Sequence, residues 1–229
     1  MNRELDLYNA VLSLELGSQP YYLHYGLLYE NNSISQNQQR STDLLIEHLI
    51  KGQKLLEIGG GLGHTAKQLR DIGYDVTSID KKEYSNSLGI TITDFNTMIL
   101  ESEFYDIILF QESAQYFNFD TTFRKCYAAL KSGGQLLVLD EFSTDFLNTC
   151  PIPFYHSIDL TKEAAPSVAL LLNTIKKHKQ TLLKDFSNSE LEQMIYELNF
   201  RKLDFRTWTT KENEINKTVR MKMLDFSNP

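Results

Sequence analysis

The sequence predicts an α/β protein: a doubly wound, mostly parallel seven-stranded sheet with helices on both faces and a final antiparallel strand. Three observations predict it. From Lys54 onward, apolar runs of strand length alternate with segments of helical period, the pattern of a parallel sheet covered by helices. The first of these runs ends in Gly59-Gly60-Gly61-Leu62-Gly63, a glycine turn that opens a helix. Two later runs end in an acid, Asp80 and Asp94, at the strand ends where such sheets bind ligands.

Before the sheet, residues 4–16 carry Leu5, Tyr8, Leu12 and Leu16 at helical spacing, and Gly17 through Pro20 break that helix. A Tyr-rich segment, Tyr21 to Gly26, follows. Beyond the polar stretch Asn31 to Arg40, Ser41 is placed to cap a helix through about Ile50. Lys54 to Ile58 then reads as a strand, Thr65 to Asp71 as a helix and Asp75 to Ile79 as a strand, which makes a βαβ unit. Further strands are expected at Gly89 to Thr93, Asp106 to Phe110 and Gln135 to Leu139, with a helix over about Thr122 to Leu130.

The rhythm breaks after Glu141. Residues 142–184 hold Pro151, Pro153 and Pro166 and then a long amphipathic helix, more chain than an ordinary connection needs, and are expected to form a lid. Ser187-Asn188-Ser189-Glu190 is a capping-box pattern that opens a helix to about Leu198. Lys202 to Thr209 and Ile215 to Leu224 close the chain as an expected antiparallel hairpin.

Composition narrows the function. With 229 residues, 41% hydrophobic and 23% charged, the balance is that of an ordinary globular protein. The net charge of -7 opposes the phosphate attraction that nucleic-acid binders use, so nucleic acid is not expected as a partner. Lys176, Lys177, His178 and Lys179 fall inside a helical pattern and read as a solvated face. Neither a secretory signal nor a membrane-spanning run is visible. Cys126 and Cys150 lack metal-ligand spacing, so no metal is expected, and a reducing, cytoplasmic setting is.

The glycine turn points to a nucleotide-like ligand, because it lets a ligand approach the backbone at a helix amino terminus. Asp80 is placed to accept hydrogen bonds from both hydroxyls of a ribose, and Asp94 from an exocyclic adenine amine. Three strand ends thus converge on one adenosine. Glu57 lies inside an apolar strand, where burial without partners is costly.

These residues resemble class I S-adenosylmethionine-dependent methyltransferases, whose first motif is an acid, any residue, then Gly-x-Gly-x-Gly. Here it reads Glu57-Ile58-Gly59-Gly60-Gly61-Leu62-Gly63. Phe104-Tyr105-Asp106-Ile107-Ile108-Leu109 is similar to the family's fourth-strand pattern, and Ala129-Leu130-Lys131-Ser132-Gly133-Gly134-Gln135-Leu136 to its turn before the fifth strand. Tyr22 to Gly26 resembles the His-Tyr-Gly segment of small-molecule members. The resemblance implies S-adenosylmethionine as cofactor, held by Glu57, Gly59, Gly60, Gly61, Asp80, Lys81, Asp94, Phe95, Gln111 and Tyr25, with Glu57 toward the methionine end. It also implies one domain in three parts: residues 1–50 as a helical cap over the cofactor and substrate site, 51–141 with 185–229 as the core, and 142–184 as the lid. A nicotinamide-binding reading of Gly61-Leu62-Gly63-His64-Thr65-Ala66 leaves Glu57 and the fourth-strand match unexplained.

On the acceptor side, Gln111-Glu112-Ser113-Ala114-Gln115-Tyr116 lacks the Asn-Pro-Pro-Tyr of enzymes that methylate amino groups of DNA and protein glutamine. Many small-molecule relatives resemble Glu-x-x-Glu-His here; this chain keeps Glu112 but has Gln115 and Tyr116 in the last two places. A base is optional in methyl transfer, where alignment does much of the work. The candidates are His156 in the lid, His24 in the Tyr-rich segment, and Glu112. Tyr22, Tyr25, Tyr116 and Tyr155 suggest a pocket for a flat or partly apolar small molecule. The expected protein is a monomer or homodimer that methylates O, N or C of a metabolite. The alternative is a non-methylating member of the fold, cyclase-like or a regulatory binding module.

Overall fold

In the computed structural model, the described residues are 3–28, 33–50, 53–142, 156–200 and 205–211. Lys54–Ile58 forms β1, buried along nearly its whole length, as a run apolar on both faces requires in the middle of a sheet. Asp75–Asp80 (β2) pairs with it in parallel on one side and Tyr105–Gln111 (β4) on the other. Thr91–Ile92 (β3) extends the sheet beyond β2, and Leu130–Glu141 (β5) extends it beyond β4, both in parallel. The order is β3-β2-β1-β4-β5-β7-β6.

The chain leaves β1 through helix α3, His64–Asp71, to reach β2 on one side, and passes from β4 through α4, Phe119–Ala129, to reach β5 on the other. Right-handed crossovers wound in opposite directions put these helices on opposite faces of the sheet. Phe123, Cys126 and Ala129 of α4 share a core with Leu56, Ile58, Ile108, Phe110, Leu136 and Val138 of three neighbouring strands. Winding reverses between β1 and β4, and that switch point fixes where a ligand crevice opens.

The far edge differs from the expected terminal hairpin. Phe205–Lys211 (β7) runs antiparallel to β5, but its other neighbour is His156–Asp159 (β6), which comes from the segment expected to be lid. Ile215 to Leu224, the expected partner, lies outside the described residues, as does 143–155 of the lid. The strand expected at Gly89 to Thr93 is reduced to the two residues of β3.

The helices outside the core are Glu4–Leu16 (α1), Ile34–His48 (α2), Thr161–Leu182 (α5) and Asn188–Phe200 (α6). α2 begins well before Ser41. Ser33 caps it reciprocally with Gln36: the Gln36 N–H donates to Ser33 Oγ at 3.3 Å and the Ser33 N–H to Gln36 Oε1 at 2.9 Å. The same device, Ser187 with Glu190, opens α6. α5 continues through Pro166, a position expected to precede the helix; the proline there removes one backbone donor.

The chain divides into two compact units. One comprises residues 1–44 and 160–203, where α1, α5 and α6 pack on one another; the other comprises 45–159 and 204–229 and contains the sheet. α6, expected with the core, belongs to the helical unit, and β6 to the sheet unit. Among the described residues, no helix is long and apolar enough to cross a membrane.

Candidate cofactor site

The site is built where β1, β2 and β4 end. The glycine turn folds back on β2: the N–H groups of Gly59 and Gly60 donate to the Ile79 carbonyl at 2.9 and 3.0 Å, and that of Gly61 to Asp80 Oδ2 at 2.9 Å. What these three residues offer a ligand is therefore space rather than donors. Gly59 is at φ 78°, and a Cβ there would lie 2.4 Å from Ser113 Cβ. At Gly60 a Cβ would meet Ser78 Oγ at 2.1 Å and Glu57 Oε2 at 2.9 Å. No side chain fits at either position, so the backbone itself forms the wall.

Glu57 sits beneath this wall. It stands opposite Ser78 in the β1–β2 register, accepts that hydroxyl's hydrogen bond at 2.5 Å, and is 2% exposed. Burial pushes its carboxyl up to about 7, against the opposing pull of the Ser78 hydrogen bond and the Arg70 charge. Asp80 is held by two backbone donors, Gly61 N–H on one oxygen and Lys82 N–H at 2.8 Å on the other. It is half-buried, and a carboxylate has lone pairs beyond two acceptances, so it can still receive hydroxyl donors in a fixed orientation.

Asp94 follows β3. One oxygen accepts from the backbone and side-chain nitrogens of Asn96, at 3.0 and 3.1 Å, and the other from Lys81 Nζ at 2.8 Å. The Lys81 contact is the main cause holding its carboxyl below the usual range. Lys81 and Asp94, both expected to hold the cofactor, are thus brought together as a partner pair. The Phe95 ring is in the core at 3% exposure, edge-on to Phe110 and Phe117. Lys125 from α4 donates to the Phe95 carbonyl and lies over its ring.

Past β4, Gln111 is buried and accepts from the Thr65 hydroxyl of α3 at 2.8 Å, which sets the orientation of its carboxamide. Glu112 is buried in the left-handed region at φ 51°, uncommon for a residue with a side chain and a mark of local constraint. Ser113 donates to the Ile58 carbonyl at 2.5 Å. The strand ends of β1 and β4 are thereby tied directly to each other.

The remaining candidates are on other elements. His24 and Tyr25 belong to the helical unit. His24 is buried, its ring against Tyr22 at 4.9 Å, and burial drives its pKa down to about 3. Tyr25 meets Tyr8 edge-on at 6.1 Å. Gln38 fixes this segment, accepting from the Tyr22 N–H and donating to the carbonyls of Tyr22 and His24. His156 is exposed at the start of β6, stacked on His48 at 5.9 Å. In the strand order it is four strands from β1, roughly 19 Å at the usual strand spacing. Sequence reasoning gave no role to Ser78, Ser113, Thr65 or Asp140; Asp140 had a visible signal, an acid closing the apolar run Leu136 to Leu139.

The cradle fits an adenosine-bearing cofactor by its side-chain-free wall and its pre-oriented Asp80. Residues 56–138 match the family profile of a methyltransferase domain. No curated protein matches the chain in sequence. Among solved structures, the [4+2]-cyclase SpnF superposes with a TM-score of 0.75 at 16% identity, over 92% of this chain and 94% of that one. A protein from Galdieria sulphuraria assigned as a sarcosine dimethylglycine methyltransferase gives 0.72 at 15%, over 92% and 98%. A cyclopropane synthase from Mycobacterium tuberculosis gives 0.64 at 14%, over 92% and 94%. At such identities the likeness is one of fold, a Rossmann-like α/β sheet. The segment 56–138 is thus similar to a methyltransferase domain, and the solved structures show that the chain shares the fold in which such domains occur.

Proposed function

We propose that the protein transfers a methyl group to oxygen, nitrogen or carbon of a small, partly apolar metabolite. The observation that carries this reading is the convergence at the β1/β4 switch point of a wall without side chains, Asp80 held by two backbone donors, and the strained Glu112 turn. Asp80 would hold the ribose, Asp94 with the backbone of Phe95 the adenine, and Gln111 the methionine end, where Glu57 supports the turn from below. Bound S-adenosylmethionine supplies an electrophilic methyl on a sulfonium.

The chain's own contribution is to align an acceptor with that methyl, exclude water and, for a protonated acceptor, take up a proton. Of the three base candidates, Glu112 is on the turn that ends at the glycine wall. A histidine whose pKa is about 3 is poorly matched to proton uptake near neutrality, and His156 stands on the sheet edge. Tyr116, half exposed on the same turn as Glu112, offers an apolar face to the acceptor.

The likeness to a [4+2]-cyclase supports a second reading, in which the same cradle binds the cofactor and the chemistry is not methyl transfer. Calorimetry with S-adenosylmethionine and S-adenosylhomocysteine tests the cradle, and both should bind. Release of S-adenosylhomocysteine with a panel of phenols, amines and activated carbon acids separates the readings. With an acceptor in hand, Glu112→Gln should lower turnover about a hundredfold with cofactor affinity unchanged, and His156→Ala should leave turnover intact. A folded protein that binds neither compound at millimolar concentration sinks the proposal.

A further inference from the structure

The turn after β4 is held in an unusual way. Ala114–Tyr116 forms a single 3-10 turn, and Ser113 occupies its N-cap position without making the side-chain cap. Its hydroxyl is committed instead to the Ile58 carbonyl, the last residue of β1. Its methylene carbon fills the place where a Cβ on Gly59 would go. The donors of the turn are satisfied from another strand. Asp140, at the carboxyl end of β5 and 0% exposed, accepts from the N–H of Gln115 at 3.2 Å and of Glu141 at 2.7 Å, and from the backbone of Ala114. The Glu112 N–H donates to the Leu139 carbonyl at 2.7 Å. One buried carboxylate therefore does the work that an N-cap residue ordinarily does, and this leaves Ser113 to grip β1.

We infer that Asp140 is a positioning residue for the cofactor: through the Ala114–Tyr116 turn and Ser113 it holds the Ile58–Gly59 backbone that walls the cofactor site. The inference rests on the proposed use of that wall. If Asp140 is unable to hold the turn, Ser113 loses its anchor on the β5 side, and its tie to Ile58 across the β1/β4 switch point slackens. A carboxylate that merely completes the core would affect folding stability and leave ligand affinity alone.

The test is titration of S-adenosylhomocysteine into the wild type, Asp140→Asn, Ser113→Ala and the double variant, each well below its unfolding temperature. Asparagine keeps the volume and one acceptor oxygen, and Ser113→Ala removes only the grip on Ile58. Each single change is expected to weaken affinity about five- to tenfold, and the double variant no more than about tenfold, because both cut one tether. Unchanged affinity in folded Asp140→Asn, or losses that multiply in the double variant, overturns the inference. Should Asp140→Asn not fold, the wild type carries the test. Hydrogen exchange at the amides of Ala114 and Gln115 should slow when S-adenosylhomocysteine saturates the protein, and equal exchange with and without it overturns the tether. A wild type that does not bind S-adenosylhomocysteine strikes the functional reading itself, a result distinct from a binding wild type with an unaffected variant.

Discussion

Asp80 shows how a single carboxylate can be both structural and a ligand. It orders the glycine turn through Gly61 and its own strand end through Lys82, so its orientation is set before any ligand arrives. Charge-assisted hydrogen bonds from ribose hydroxyls would add to acceptances that already exist. Asp80→Asn keeps one acceptor oxygen but puts an amine toward one of the two backbone donors. The expected loss of S-adenosylhomocysteine affinity is about 1.5–3 kcal/mol, read by calorimetry on protein whose circular dichroism is unchanged. Equal affinity would place the ribose elsewhere. At this scale the sequence was legible in outline. Asp80 and the glycines could be assigned from spacing, but the side chains that support them could not. Ser78 supports Glu57, Ser113 grips Ile58 and Thr65 orients Gln111 across strand and helix boundaries, and no local pattern encodes such pairings.

Helix α2 is the element that periodicity reads worst. Its buried stripe is Ile34, Asn37, Gln38, Ser41, Thr42 and Leu45, spaced as an inward face should be but made largely of polar residues. Reading apolar recurrence therefore delayed the helix to Ser41, although the Ser33 and Gln36 capping pair was present in the sequence. Strands β1, β2 and β4, by contrast, lie within a residue or two of their expected places, because strands covered on both faces are apolar throughout, whereas β5 begins at Leu130, ahead of the expected Gln135. Within α2, Gln38 is fully engaged with the Tyr22 to His24 backbone. The Asn37 carboxamide is completely buried and makes no hydrogen bond among the described residues. A buried amide without a partner costs about 1–3 kcal/mol, and leucine nearly matches asparagine in reach. Asn37→Leu is expected to raise the midpoint of thermal unfolding by about 2–4 °C. A lowered midpoint would mean that the amide has a partner worth more than its desolvation.

The division into two compact units was not legible, because it joins residues 1–44 to 160–203, and contacts between such distant segments leave no local trace. One whole-molecule property follows from its buried acids. Burial raises Glu57 from 4.5 and Asp140 from 3.8, each to about 7, so the folded chain keeps two protons that the unfolded chain releases. Between about pH 4 and 7 the folded state binds more protons, and stability must fall as pH rises through that window and level off above it. The carboxylates of Asp94, Asp106, Glu15 and Glu190 are shifted the other way by their partners; the stability they give is present above their unfolded pKa and lost as pH falls through the lower folded one. Those four are exposed or half-exposed and screened. Buried His24, lowered from 6.5 to about 3, adds stability as pH rises to about 6.5, but it is one group against two raised acids, so the descending limb should dominate above about pH 5. Urea unfolding is expected to give a maximum at about pH 5 and a decline toward pH 8 on the order of 2–3 kcal/mol for each buried acid. Glu57→Gln, which cannot ionise and can still accept from Ser78, should flatten the decline by its share. A stability that instead rises steadily from pH 5 to 8 would mean that both carboxylates fold ionised, with a positive charge close to each.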